Sequence, residues 1–229
     1  DAAVATPSSA ARSVKVLYSP KYSRTTYKKA QTALQEASNG PYVLKASNGF
    51  PTWKASNVLL TEGKWYYEIE ICGDDVKGYP QVGWASSDFD GGDGENKGVG
   101  DDSCSWGIDG ERVCTWNKET NHENRKYGKK WSVGDRIGCA INLDNKSMEF
   151  YVNNLSQGVA YENINVSNGV CPAFTFSGRN CRLFLKLYFG NKADPFKYSP
   201  PEGHKSIHSS LLEQSEKETM RDNLSRTWT

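Results

Sequence analysis

Most of the features that would specialise this chain are missing. No apolar run approaches the roughly 20 residues a helix needs to span a bilayer. Excess charge of one sign is absent too: 28 Lys and Arg stand against 27 Asp and Glu, a net charge of +1. That balance excludes a general polyanion binder and leaves only a local basic patch to consider. Histidine is scarce, with His122 in a polar stretch and His204 and His208 far along the chain. A Ser or Cys nucleophile therefore has no base held by a third group. The glycines of Gly92–Gly100, GDGENKGVG, are not followed by a helix start, so no phosphate-binding loop is present. Among Cys72, Cys104, Cys114, Cys139, Cys171 and Cys181 no CxxC pair occurs. Free thiols in a reducing, cytoplasmic compartment are expected, although Asn145, Asn154, Asn165 and Asn223 begin Asn-x-Ser sequons. Asp1–Ser13 lacks an initiating Met and a signal segment, and reads as part of something longer.

What is present is period-two alternation. In Arg136–Leu143 the residues Ile137, Cys139, Ile141 and Leu143 fall on one side of an extended chain. Asp144-Asn145-Lys146 supplies a turn. Ser147–Asn153 then turns Met148, Phe150 and Val152 inward, and after Asn153-Asn154 a third strand returns over Gly158–Tyr161. One apolar face needs a second layer to cover it. Further strands are expected at Trp65–Cys72, Gln81–Ala85, Ser105–Ile108, Arg112–Trp116, Cys171–Phe176 and Leu183–Phe189, separated by Gly, Asn and Asp clusters. This spacing reads as an all-β, two-layer antiparallel β-sandwich. Residues 1–40 are expected to form a flexible, partly helical flank with a short strand at Val14–Tyr18 and a helix over Thr25–Ala37. The sandwich should occupy 41–205, and 206–229 a helical tail with its helix at Ser209–Thr219.

The runs WYYEIEI (Trp65–Ile71), VGWA (Val82–Ala85), GVGDD (Gly98–Asp102) and SWGIDG (Ser105–Gly110) precede the meander. CPAFTF (Cys171–Phe176) and LYFGN (Leu187–Asn191) follow it. Together, in this order, they resemble a SPRY domain over residues 42–205, closest to the SPRY copies of ryanodine receptors and large ubiquitin ligases. The resemblance implies a concanavalin-like jelly-roll topology and a non-catalytic module that docks a peptide or protein surface. One departure matters. In peptide-binding SPRY members of cullin-ligase adaptors, a Tyr before the SWG run and a Val-Trp-Gly after the late Pro strand hold an Asn-rich peptide. Here Glu95 and Ser177-Gly178-Arg179 stand near those positions, so that peptide preference does not carry over.

Loops on a rigid scaffold usually carry specificity. The expected partner surface comprises Asn48, Phe50 and Trp53, then Tyr79 and Pro80, then the acidic loop at Asp90, Asp93 and Glu95. Asn121, Arg125 and Tyr127 follow, and Ser177, Gly178, Arg179 and Asn180 complete it. Arg125 and Arg179 are candidate carboxylate or phosphate clamps. Asp88–Asp102 places six carboxylates in fifteen residues, yet no register meets the EF-hand template, so a solvated acidic loop is expected. Glu68 and Glu70 share a strand face as a hydrolase pair might, but WYYEIEI alternates as an exposed face would. Seven Trp, 12 Tyr and 8 Phe chiefly fill the core. The expectation is a monomeric domain with a protein or peptide partner, no catalysis, no cofactor, no metal, no nucleic acid and no membrane contact. A carbohydrate-binding or carbohydrate-cleaving sandwich and a purely architectural domain are the alternatives.

Overall fold

The computed structural model describes residues 13–18, 34–35, 41–46, 49–91, 98–118, 125–178 and 182–226. Alternating apolar residues build facing antiparallel sheets. The first contains β1 (Val16–Tyr18), β4 (Thr52–Ala55), β12 (Val170–Thr175), β6 (Gln81–Ser86), β7 (Ser105–Asp109) and β8 (Cys114–Trp116), adjacent in that order. The second runs β11 (Leu155–Tyr161), β10 (Ser147–Val152), β9 (Arg136–Asn142), β5 (Lys64–Cys72), β13 (Phe184–Tyr188), β3 (Tyr42–Lys45) and β2 (Leu34–Gln35). The short β14 (Lys205–Ser206) adds in parallel to β5 and leads into α1 (Ile207–Arg226).

The expected meander forms, with Phe150 opposite Cys139 and Met148 opposite Ile141. Its inward set is fully buried, and the other sheet supplies Trp84 and Phe174 against it. Tyr67 of β5 sits between the layers. Its ring meets Trp84 edge-on at 4.9 Å and Phe174 at 5.7 Å, and its hydroxyl donates to the carbonyl of Gly83 across the sandwich. Burying a large apolar side chain this way is worth about 2–3 kcal/mol.

Several expectations are corrected. Trp53 lies on β4, between β1 and β12, not in a loop. It is 0% exposed and stacks on Phe176 at 5.1 Å, so it is core and cannot meet a partner. Nearby Gly49 and Pro51 hid a four-residue strand too short to show alternation. The sheets also reach into the 1–40 span: Val14 and Val16 join the core, and β1 pairs with β4. Leu34–Gln35 is strand where a helix was expected, and the remainder of Thr25–Ala37 lies outside the described residues. The tail helix starts earlier than expected, with Ser206 Oγ accepting the Ser209 N–H as an N-cap. Among its described side chains, Ile207, Ser210 and Leu211 are buried.

The outer face of β5 and β9 is covered, not solvated. Phe196 packs edge-on against Tyr66 at 5.1 Å. Glu68 is 0% exposed and accepts the N–H groups of Lys197 (2.8 Å) and Tyr198 (3.0 Å). Arg136 approaches Glu68 at 3.6 Å and Glu70 at 3.5 Å, its guanidinium 3.8 Å from the centroid of Tyr188. The acidic strand face that was expected to be exposed is therefore, at Glu68, a clamp holding residues 196–198 on the sheet.

Candidate functional site

At one end of the first sheet, the loops entering β4 and β6, leaving β12 and joining β7 to β8 are tied to each other. Gly178 N–H donates to Gly49 O (3.0 Å), and Ser177 N–H to Gly78 O (2.6 Å). Glu111 Oε2 accepts from Gly78 N (3.1 Å) and Tyr79 N (2.7 Å). The carboxylate thereby replaces the water that the amides of a free turn would bind. It holds Tyr79 in left-handed backbone, φ 52°. Tyr79 is 51% exposed, the most open aromatic side chain of this rim.

Beneath Tyr79 lies Arg112. Its guanidinium is 4.9 Å from the Tyr79 ring centroid and 4.0 Å from that of Trp116, and its Nε donates to Asp109 Oδ2 at 2.5 Å. The Asp109 side chain is wholly buried, and its Oδ1 also accepts from Glu111 N and Arg112 N. Burial raises the Asp109 pKa, with Arg112 and these N–H groups pulling the other way. Val113, β-branched, also sits at positive φ (59°). That conformation is a genuine outlier for such a residue and interrupts the strand expected over Arg112–Trp116.

The third contributor is the segment from Gly98 to Cys104, which crosses the outer face of the first sheet. Val99 N donates to Thr175 Oγ1 (3.0 Å), Gly98 N to Asp101 Oδ2 (2.7 Å), and Gly100 N to Ser105 Oγ (2.8 Å). Gly100, at φ 95°, lies so close to Trp116 that a Cβ would fall 2.2 Å from the Trp116 carbonyl oxygen. Asp101 and Asp102 of the acidic run thus fold their own loop, Asp102 accepting from Cys104 N and Ser105 Oγ. Among the described residues no group of three or more His, Cys, Asp or Glu could hold a metal ion.

The expected residues divide accordingly. Phe50, Tyr79, Ser177 and Gly178 meet at this rim, and Pro80 lies beside Tyr79 but is buried. Tyr127 lies elsewhere and is half-buried: its hydroxyl donates to Gly158 O (2.6 Å) and accepts from Phe150 N (3.2 Å), pinning residues 125–128 to the second sheet. Arg125 lines a different place. This is a groove of about 560 Å³ where β8 and β11 part, with Asp88, Glu162 and Asn163 on its walls. Its floor aromatics, Trp106 and Tyr161, are buried, so neither offers an exposed stacking face to a sugar. Asp90 is exposed, on the loop after β6. Asn48, Asp93, Glu95, Asn121, Arg179 and Asn180 lie outside the described residues. Sequence reasoning missed Glu111, Arg112 and Trp116. The available signal was Asp109-Gly110, a turn pair, followed by an acid and a base at spacings that fold back on it.

Residues 64–188 match the SPRY domain. The chain belongs to that family. Two relatives extend the match. The E3 ubiquitin-protein ligase RKP of Arabidopsis thaliana is 36% identical over 173 residues, covering 73% of this chain and 12% of RKP. The ATP-dependent RNA helicase DDX1 of Xenopus laevis is 30% identical over 146 residues, covering 63% of this chain and 17% of DDX1. The SPRY chain thus spans a small fraction of either relative. Its two-sheet architecture is the β-sandwich of that family, and no helix among the described residues is long and apolar enough to cross a membrane.

Proposed function

We propose that this SPRY domain is a non-catalytic recognition module that binds a peptide or protein surface at the rim formed by Phe50, Tyr79, Arg112, Ser177 and Gly178. It would act as one part of a larger protein such as a ubiquitin ligase, in keeping with the likeness to RKP. The observation that carries this reading is Tyr79. A large aromatic half open to solvent, in backbone that L-residues avoid, is maintained by a Glu111 carboxylate and a stacked guanidinium. Exposed aromatics on a rigid frame are the residue type that dominates interface energy, because little conformational freedom is lost on binding. Strain of this kind persists where the surroundings over-determine it, and it clusters at functional sites.

The test is selection of a displayed random-peptide library on the domain, followed by amide chemical-shift mapping with the best synthetic peptide. Binding is expected to perturb Phe50, Tyr79 and Gly178 and to be lost in Tyr79→Ser with the fold retained. Shifts confined to the β8–β11 groove, or no enriched peptide at all, would overturn the assignment.

A further inference from the structure

We infer that Arg112 is a preorganised receptor for a carboxylate, so that the partner is a peptide presenting an Asp or Glu beside the group that covers Tyr79. This rests on the rim reading above and deepens it. The guanidinium is oriented by the Asp109 carboxylate on Nε and by the Trp116 and Tyr79 rings. Only Nε is engaged in this way. Among the described residues neither terminal nitrogen has a hydrogen-bond or ion-pair partner, while 34% of the side chain is exposed. A guanidinium fork matches a carboxylate in two parallel hydrogen bonds. Holding it in place beforehand removes most of the ordering cost that a free Arg would incur.

The neighbouring acids do not fill the fork themselves. Asp109 already serves Glu111 N, Arg112 N and Arg112 Nε, and Glu111 Oε2 is engaged by Gly78 and Tyr79. The same bookkeeping chooses between anions. One guanidinium, partly neutralised by Asp109, suits a monoanion, and among the described residues the exposed Lys77 of the preceding loop already lies 3.8 Å from Asp75. A phosphate dianion would want a second free cation.

The experiment uses the selected peptides as matched synthetic sets: the acidic sequence, its Gln or Asn counterpart, and its phosphoserine counterpart. Each is titrated into wild type, Arg112→Lys and Tyr79→Ser while the Arg112 Nε–H resonance is followed. Because Arg112→Gln leaves the buried Asp109 without its cation, the double variant Arg112→Gln, Asp109→Asn is included, with its fold checked by circular dichroism. The expected result is enrichment of Asp or Glu at one position and a shifted Arg112 resonance. Affinity should fall about tenfold both when the acid becomes an amide and in Arg112→Lys, where the charge remains but the fork does not. Peptides that need Tyr79 but bind equally well as amides would overturn the carboxylate assignment and leave the rim reading standing. Tighter binding of the phosphoserine set would also overturn it. Acidic peptides indifferent to both Tyr79→Ser and Arg112→Lys would overturn both readings, as would a library that yields nothing.

Discussion

Two arginines in this domain have the same kinds of neighbour and different fates. Arg136 lies over Tyr188 and between Glu68 and Glu70; Arg112 lies between Tyr79 and Trp116 and holds Asp109. Each is a guanidinium stacked on an aromatic ring and paired with carboxylate. The difference is cover. Residues 196–198 close over the Glu68 end of the first cluster, so the Glu68 carboxylate is sealed and its hydrogen bonds fasten that segment to the sheet. No segment among the described residues closes over Tyr79, and none of them engages the terminal donors of Arg112. Identical chemistry therefore becomes a clamp or a receptor according to whether water is excluded from it.

The largest way to break this comparison is Arg136→Ala. It leaves the fully buried Glu68 without its cation and should cost about 3–5 kcal/mol, read as a lower denaturation midpoint with unchanged slope. Trp53→Ala should cost a similar amount, about 3–5 kcal/mol, by opening a cavity against Phe176. A Trp53 variant of wild-type stability would remove the core assignment. Arg112→Ala should be milder, about 1–2 kcal/mol, because the lost cation is itself partly solvated and Asp109 keeps the N–H groups of residues 111 and 112; a loss as large as that of Arg136→Ala would erase the distinction drawn here. Tyr79→Ser should change stability by less than about 0.5 kcal/mol, its effect appearing in peptide binding.

The smallest effect is a slope with pH. At Glu70 burial pushes the pKa up, but the Tyr188 hydroxyl, Lys186 and Arg136 outweigh it and hold the group below its usual value. Its contribution is present above the unfolded carboxylate pKa and fades as pH falls through the folded one. At Asp109 burial prevails and the pKa is raised. Its contribution is present below the unfolded pKa and lost as pH rises through the folded value. Denaturant melts between about pH 3 and pH 7 should show Glu70→Gln costing most at neutral pH and Asp109→Asn costing most in acid. Parallel pH profiles for the two variants would contradict the opposite shifts.

Most of the sandwich was legible because its signal is local. Residues 136–152 carry a period of two, and their turn residues announce each reversal. Trp53 was misread because β4 has four residues, too few for a period, beside a Gly and a Pro that signal a loop. Glu68 was misread because alternation reports which residues share a face and is silent on what covers that face. The site was legible in outline through Phe50, Tyr79, Ser177 and Gly178, all in turns. Arg112 was not, since its partners Tyr79, Asp109 and Trp116 come from separate strand ends.

By itself the sequence determined a two-layer β-sandwich and its family, because side-chain alternation and turn chemistry act between residues near in the chain. It also set the balance of charge that leaves recognition to a few residues. Only the tertiary structure decided which Arg is sealed and which is open, which aromatic is core and which is rim, and that Glu68 holds residues 196–198. Those outcomes depend on which distant segments exclude water from a given carboxylate or ring.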